Sequence, residues 1–209
     1  MSPRRYTMTK KLALATETRQ RIVEATLKLH GEYGIFGTSW KDIATEANVS
    51  VGTVYRYFPT RDQLVPACGE LLMEKVQPPQ PESIAQILGN AAHPAERIRR
   101  VADALFAFYE RGGSHLDADL RERKLPAVRE WEEFLRALVA GFVSEALSGL
   151  GQDKTTITSL SFLFDFPTFR AICSRGIPAS DAARIAAEMA MAWLATHPDD
   201  HVDPPDGRT

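Results

Sequence analysis

Residues 51–58, VGTVYRYF, place several groups that can bind an anion within one short helix. A helical step of about 100° per residue divides this segment into two faces. One face is apolar, and it holds Val51, Val54 and Phe58. The outward face and its flanks hold the other five residues: Gly52, Thr53, Tyr55, Arg56 and Tyr57. The apolar face predicts packing against neighbouring helices, and the outward face predicts contact with a polyanion.

Each outward residue has a distinct use against nucleic acid. Gly52 lets a phosphate approach the backbone N–H groups near the helix N-terminus. Thr53 can donate to phosphate or touch a thymine methyl group, and tyrosine phenols donate to backbone phosphates. Arg56 can bind a guanine edge through two donors, or bind a phosphate. An amphipathic surface helix is the alternative interpretation, but the glycine and the two tyrosines favour DNA.

Capping residues predict the elements that position this helix. Ser39 fits the N-cap of a preceding helix at residues 40–47, and Asp42 is its reciprocal partner in a capping box. Asn48 stands where a helix can end in the left-handed conformation, and Ser50 can cap the next helix. Two short helices joined by such a tight turn form a helix-turn-helix.

The next helix is predicted to bridge two parts of the chain. Thr60 and Gln63 fit another capping box, and the helix should run to about Val76, before the linker QPPQPES. Pro66 lies inside it, so we expect a kink or loosened first turns.

Helical periodicity continues to the C-terminus without strand-like alternation, which predicts an all-α protein of about nine helices. Besides the helix-turn-helix at about 38–58, helices are expected over residues 17–33, 95–111, 126–148, 154–173 and 179–196. We divide the chain into a flexible basic arm (1–15), a helix-turn-helix domain (16–62), a helical body (63–197) and a disordered tail (198–209).

Charge is distributed unevenly along the chain. Residues 1–62 hold 10 Lys/Arg against 6 Asp/Glu, whereas residues 63–209 hold 15 against 21. A basic N-terminal quarter suits an anionic partner, nucleic acid first. Its first cations, Arg4, Arg5, Lys10 and Lys11, either lie along a DNA groove or remain mobile.

The expected cellular compartment follows from two kinds of segment that we do not find in the sequence. No apolar run approaches the ~18 residues of a membrane span, and we find no signal peptide. Cys68 and Cys173 are far apart, which favours reduced thiols in a cytoplasmic protein.

No catalytic or metal-binding constellation is apparent, so we expect neither an enzyme nor a cofactor. His115, Asp117 and Asp119 lie in a polar stretch that suits a solvated surface better than a metal site. His197 and His201 are four residues apart, but Pro198 prevents the helix that would align them.

The segment GTSWKDIATEANVSVGTVYRYFPTRDQLV closely resembles the DNA-binding signature of TetR-family transcriptional regulators. The resemblance covers roughly residues 17–72 and implies that the five outward residues of the opening helix contact DNA. Lys41 and Arg61 match phosphate-contact positions, and Trp40 matches a position that either touches DNA or packs. His30 stands where family members usually carry an aromatic residue, and Pro66 is a second departure.

The resemblance also implies that the body is a ligand-binding and dimerisation domain. Five aromatic residues are candidates for the effector pocket: Phe106, Tyr109, Trp131, Phe134 and Phe162. The alternative for each is a place in the core. A neutral aromatic lining would suit a lipophilic or aromatic small molecule.

The dimer interface is expected on helices 154–173 and 179–196. The last helix has a face rich in small residues, formed by Ala182, Ile185, Ala186, Met189, Ala192 and Trp193. Core packing is the competing use of that face.

These features together predict a homodimeric regulator, a repressor that a ligand releases from a near-palindromic operator. Two alternatives remain: a DNA-binding architectural protein without an effector, and a helical enzyme that carries a helix-turn-helix.

Overall fold

A computed structural model describes residues 3–150 and 153–196 and contains no β-strand within these ranges. The all-α prediction is confirmed. The α-helices are α1 (Pro3–Tyr33), α2 (Trp40–Glu46), α3 (Val51–Tyr57), α4 (Arg61–Val76), α5 (Ile84–Leu88), α6 (Pro94–Gly112), α7 (Pro126–Ala146), α8 (Lys154–Ser161), α9 (Phe166–Cys173) and α10 (Ala179–Thr196).

The chain forms two compact units. The N-terminal unit comprises the residues up to Gln77 together with Gly112–Trp131, and the body unit comprises Pro78–Arg111 and the residues from Glu132 onward. This division differs from the expected boundary after residue 62. All of α4 belongs to the first unit, because its buried side chains pack against those of α1.

The first helix starts earlier than predicted. It begins at Pro3 rather than near residue 17, so the described part of the expected flexible arm continues α1. The intervening Lys, Leu, Ala and Glu residues are strong helix formers, and no proline interrupts them. Further along α1, the predicted core face is confirmed, since Ile22, Ala25, Thr26 and Leu29 are buried.

The core of the N-terminal unit is formed by the first four helices. Its buried residues include Ile22 from α1, Ile43 from α2, Val54 from α3 and Leu64 from α4. Burying such aliphatic side chains contributes about 1.5–3 kcal/mol each. This packing stabilises the short α2 and α3, which would not be stable alone.

The prediction of a single helix at 154–173 is wrong, because the segment forms two helices. α8 ends at Ser161, a 3-10 turn follows at Phe162–Phe164, and Asp165 is extended (φ −74°, ψ 155°) before α9. Pro167 therefore lies in the first turn of a new helix, where its missing N–H costs no hydrogen bond.

The small-residue face of α10 is used mostly inside the body unit. Ala182 and Ala186 are buried, as are the neighbouring alanines 183, 187 and 190, against α9 and the preceding 3-10 turn. Met189 and Ala192 are exposed. Core packing, the alternative use of the face, therefore holds for the buried alanines. The expected tail at 198–209, with His201, lies outside the described residues, as does His197.

Candidate nucleic-acid interface

The start of α2 is determined by the predicted capping box. The Ser39 backbone N–H donates to Asp42 Oδ2 at 3.1 Å, and the Asp42 N–H donates to Ser39 Oγ at 3.2 Å. The Ser39 hydroxyl also donates to Asp42 Oδ2 at 2.5 Å, and this hydrogen bond, followed by that from the Ser39 N–H, lowers the pKa of Asp42. Two otherwise unsatisfied donors of the helix terminus are thereby paired.

The turn between α2 and α3 depends on Asn48. Its φ of 53° lies in the left-handed region, as predicted. The Val49 N–H then donates to the Ala44 carbonyl at 2.9 Å, and the Asn48 N–H donates to Thr45 at 3.2 Å. This left-handed ending turns the chain sharply enough for α3 to follow after a few residues.

The third helix is capped and oriented as its sequence suggests. Ser50 Oγ accepts the Thr53 N–H at 3.1 Å and lies 2.9 Å from the Thr53 hydroxyl. Val54 and Phe58 are buried, which confirms two of the three expected apolar contacts. The expectation for Val51 is wrong, because its side chain is 37% exposed. It stands in the first turn of α3, beside the exposed Ser50 and Gly52.

An aromatic contact joins the two helices of the motif. The rings of Trp40 in α2 and Tyr55 in α3 have centroids 5.0 Å apart and a tilt of 38°. Trp40 also packs partly on the core, whereas Tyr55 is 45% exposed. The contact restricts the Tyr55 ring while its hydroxyl-bearing side chain remains accessible.

Three of the predicted contact residues face outward without obstruction from the protein. Lys41, Gly52 and Arg56 are all exposed. A Cβ added at Gly52 would meet Ser50 Oγ as its nearest neighbour, at 3.9 Å. The fold itself therefore has room for a side chain there, so the glycine has no packing reason within the described residues.

The remaining two predicted contacts also have structural partners. Tyr57 packs partly against the core, and the Arg56 guanidinium lies 5.4 Å from its ring centroid. Arg61, at the first position of α4, donates to the Thr38 carbonyl at 3.0 Å, and its guanidinium lies 5.5 Å from the Phe36 ring centroid. Arg61 thus links the start of α4 to the loop before α2.

The predicted capping box at the start of α4 is not formed. Thr60 is the N-cap residue, but its side chain makes no capping hydrogen bond. Its carbonyl accepts the Gln63 and Leu64 N–H groups at 3.3 and 3.2 Å. The backbone alone starts this helix, and Pro66 lies inside it, as expected.

His30 is partly buried near the end of α1. Burial, then the nearby positive charge of Arg61 and the proximity of His115, lower the pKa of His30 from 6.5 to about 4. The imidazole is therefore neutral near pH 7.

The predicted effector residues do not share one environment. Phe106 and Tyr109 are buried in an aromatic cluster of the body unit that includes Phe166 and Phe169. Phe162 is 57% exposed. Phe134 is 40% exposed, and Trp131, partly buried, belongs to the N-terminal unit.

Asp165, which was not among the predicted site residues, lies beside that cluster. Burial raises its pKa, and the charge of Arg136 opposes this shift. Burial, and to a smaller extent the charge of Asp165, raises the pKa of Tyr109. The Tyr109 hydroxyl donates to the Phe164 carbonyl at 2.9 Å. An aspartate before a proline-containing turn carries no sequence signal for this placement.

Within the described residues, no group of three or more His, Cys, Asp or Glu side chains is arranged to hold a metal ion. His115 Nε2 instead lies 3.0 Å from the Leu27 carbonyl, and the Asp119 carboxylate accepts backbone N–H groups. No helix in the described part of the chain is long and apolar enough to cross a membrane.

Comparison with known sequences matches residues 22–68 to the family described as bacterial regulatory proteins, tetR family. The HTH-type transcriptional regulator HbdR of Aromatoleum sp. (strain CIB) is 33% identical over 85 residues, which cover 41% of this chain and 35% of HbdR. The HTH-type transcriptional repressor KstR of Rhodococcus jostii (strain RHA1) is 43% identical over 49 residues, 23% of each chain. The chain thus matches about a third or less of these relatives' length.

Solved structures extend the likeness over most of the fold. The multidrug binding protein EbrR, complexed with imidazole, has a TM-score of 0.54 and 25% identity, covering 82% of this chain and 93% of EbrR. A TetR-like transcriptional regulator from Rhodococcus sp. RHA1 has a TM-score of 0.60 and 21% identity, covering 85% and 96%. Residues 22–68, which include the capped helix-turn-helix, thus match the tetR family of bacterial regulatory proteins, and the solved structures show that the fold of the chain is similar to that of TetR-like regulators.

Proposed function

We propose that the protein is a sequence-specific DNA-binding transcriptional regulator that represses until a small molecule releases it. The outward face of α3 carries this proposal. Gly52 is open, Arg56 is exposed, and the Tyr55 ring is held against Trp40 on the supporting helix. Tyrosine and lysine contacts to phosphate would set the position, and Arg56 and Thr53 would read base edges. KstR, a relative similar in this region, is described as a repressor.

In this proposal, the protein binds a near-palindromic operator as a homodimer. Two recognition helices would enter successive major grooves about 34–36 Å apart. The exposed Met189 and Ala192, with the partly exposed Ile185, form a continuous outward stripe on α10. This stripe and the α8–α9 region are the proposed pairing surface.

The proposed effector is lipophilic or aromatic and binds in the body unit. The cluster around Phe106 and Tyr109 supports an aromatic ligand, and the half-buried Asp165 beside it would also favour a positive charge. EbrR, which has a similar fold, is complexed with the aromatic heterocycle imidazole. Release requires the ligand to bind one dimer geometry more tightly, typically by about 1–3 kcal/mol.

Operator selection from random DNA followed by affinity measurement over a range of salt concentrations tests the DNA-binding proposal. Lys41→Gln should reduce the slope of log affinity against log salt by about 0.9 for each protomer, without changing the selected sequence. Lys75→Gln is the matched control, because Lys75 is exposed at the far end of α4. Failure to select any sequence would contradict the proposal.

Arg56→Ala separates base reading from phosphate contact. A relaxed preference at one operator position, with a loss of about 1–3 kcal/mol there, supports base reading. An equal loss on every sequence would assign Arg56 to phosphate instead.

Thermal stabilisation by a cationic aryl dye and by its neutral leuco form tests the effector class. Asp165→Asn should reduce stabilisation by the cation and leave that by the neutral form, since asparagine retains the shape of the side chain. If the cation stabilised the parent protein and Asp165→Asn equally, Asp165 would not be part of the binding site.

A further inference from the structure

The connection between α6 and α7, residues 113–125, belongs to the N-terminal unit and is tied to α1 and the loop that follows it. Ser114 Oγ donates to the Gly31 carbonyl at 2.8 Å, and His115 Nε2 lies 3.0 Å from the Leu27 carbonyl. The Ile35 N–H donates to Glu122 Oε1 at 2.5 Å. The segment therefore has a defined position beside α1 and the loop that precedes α2.

Glu122 is the strongest of these attachments. Its side chain accepts both the Ile35 N–H and, at 2.9 Å, the Asp119 N–H, and the residue is only 5% exposed. Gly34 makes room for it: φ is +73°, and a Cβ there would lie 2.8 Å from Glu122 Oε1. A buried carboxylate with two charge-assisted hydrogen bonds holds the adjacent residue, Arg121, in place.

The backbone at Arg121 is fixed from a second direction. Asp119 Oδ1 accepts the Arg121 N–H at 2.6 Å and the Glu122 N–H at 2.8 Å. Against this rigid backbone, the Arg121 guanidinium lies 5.4 Å from the ring centroid of Phe36. Its side chain nevertheless remains 70% exposed.

Phe36 thereby brings two cations together. Arg61 lies 5.5 Å from the same ring centroid, so the two guanidinium groups are within about 11 Å of each other. The Arg121 charge is only weakly compensated, because its pair with Asp119 is 3.5 Å long and both side chains are exposed. A phosphate could replace such a pair without leaving a buried charge unpaired.

From this geometry we infer that Arg121 is a further DNA-phosphate contact, which extends the interface beyond the helix-turn-helix to the α6–α7 connection. The inference rests on the proposed DNA-binding function. Arg61 supplies the neighbouring positive charge, since both guanidinium groups contact the ring of Phe36. Arg121 contributes to affinity and does not contribute to sequence preference.

Affinity of the full chain for its selected operator, measured from low to high salt, tests the inference. Arg121→Gln should lower the salt slope by about 0.9 for each protomer, and Arg121→Lys should retain the slope. The selected sequence should be the same for all three proteins. Lys124→Gln, which removes one exposed positive charge from the same segment, is the control and should leave the slope unchanged.

Several results would overturn the inference. An unchanged slope for Arg121→Gln would show that Arg121 makes contacts only within the protein and does not bind a DNA phosphate. An equal fall for Lys124→Gln would show a general field effect, and a changed base preference would exclude a pure phosphate contact. A wild-type chain that selects no operator would instead refute the proposed function.

Discussion

Replacing His30 by phenylalanine should remove a pH dependence from the stability of the N-terminal unit. The pKa of His30 is about 4 in the folded protein, against 6.5 ordinarily. Protonation therefore favours the unfolded state. The contribution of neutral His30 to the stability of the folded state is complete above pH 6.5 and is lost as the pH falls from 6.5 towards 4.

The two pKa values give the size of the effect. As the pH falls from 8 to 5, the lowered pKa of His30 should reduce the free energy of unfolding by about 2 kcal/mol. This figure is an upper value, because His30 is partly exposed. Carboxylates with lowered pKa values, such as Asp42, titrate mainly below this window and contribute little to the change.

Urea unfolding at pH 8, 7, 6 and 5, followed by the fluorescence of Trp40, is the appropriate assay. Trp40 packs against the core of the N-terminal unit, although Trp131 and Trp193 require replacement by phenylalanine for an unmixed signal. His30→Phe should flatten the pH dependence whatever its effect at pH 8. His93→Asn, at an exposed position, should retain it. Parallel pH profiles for His30→Phe and the parent would refute the reasoning.

Three further predictions concern local structure and are measured by chemical denaturation near pH 7. Asn48→Ala should destabilise the protein by about 1 kcal/mol, and Asn48→Gly should be neutral or stabilising, because φ is 53°; equal effects would contradict a left-handed requirement. Ser39→Ala should cost about 1 kcal/mol by removing the capping box with Asp42, whereas Thr60→Ala, at a cap without a side-chain bond, should cost less. Gly34→Ala should cost more than 1 kcal/mol, since a Cβ would meet the Glu122 carboxylate at 2.8 Å with φ at +73°; a neutral result would show that this contact relaxes freely.

Local signals in the sequence predicted the helix-turn-helix well. The Ser39 and Ser50 caps and the left-handed Asn48 depend on neighbours within a few residues. These features can therefore be predicted from a short stretch of sequence. Thr60 shows the limit of this approach. It has the right partner spacing, but the observed backbone provides the hydrogen bonds instead.

Features that depend on distant contacts were not predictable. The hydrogen bond from Ile35 to Glu122 joins residues 87 positions apart, and no spacing rule relates them. The alanines of α10 fit equally well in a pairing face or in a core, and their burial decides between the two. The break at Asp165 was missed because the apolar pattern continues across it.

The attachment of Glu122 to Ile35 has a consequence for protein synthesis. A ribosome releases the helix-turn-helix well before residue 131, so the N-terminal unit emerges without one of its own parts. At typical elongation rates the delay is on the order of 3 to 10 seconds. During that interval, the Ile35 N–H lacks its carboxylate acceptor and Phe36 lacks the Arg121 guanidinium. The nascent chain therefore completes its N-terminal unit only after more than half of the protein has been made.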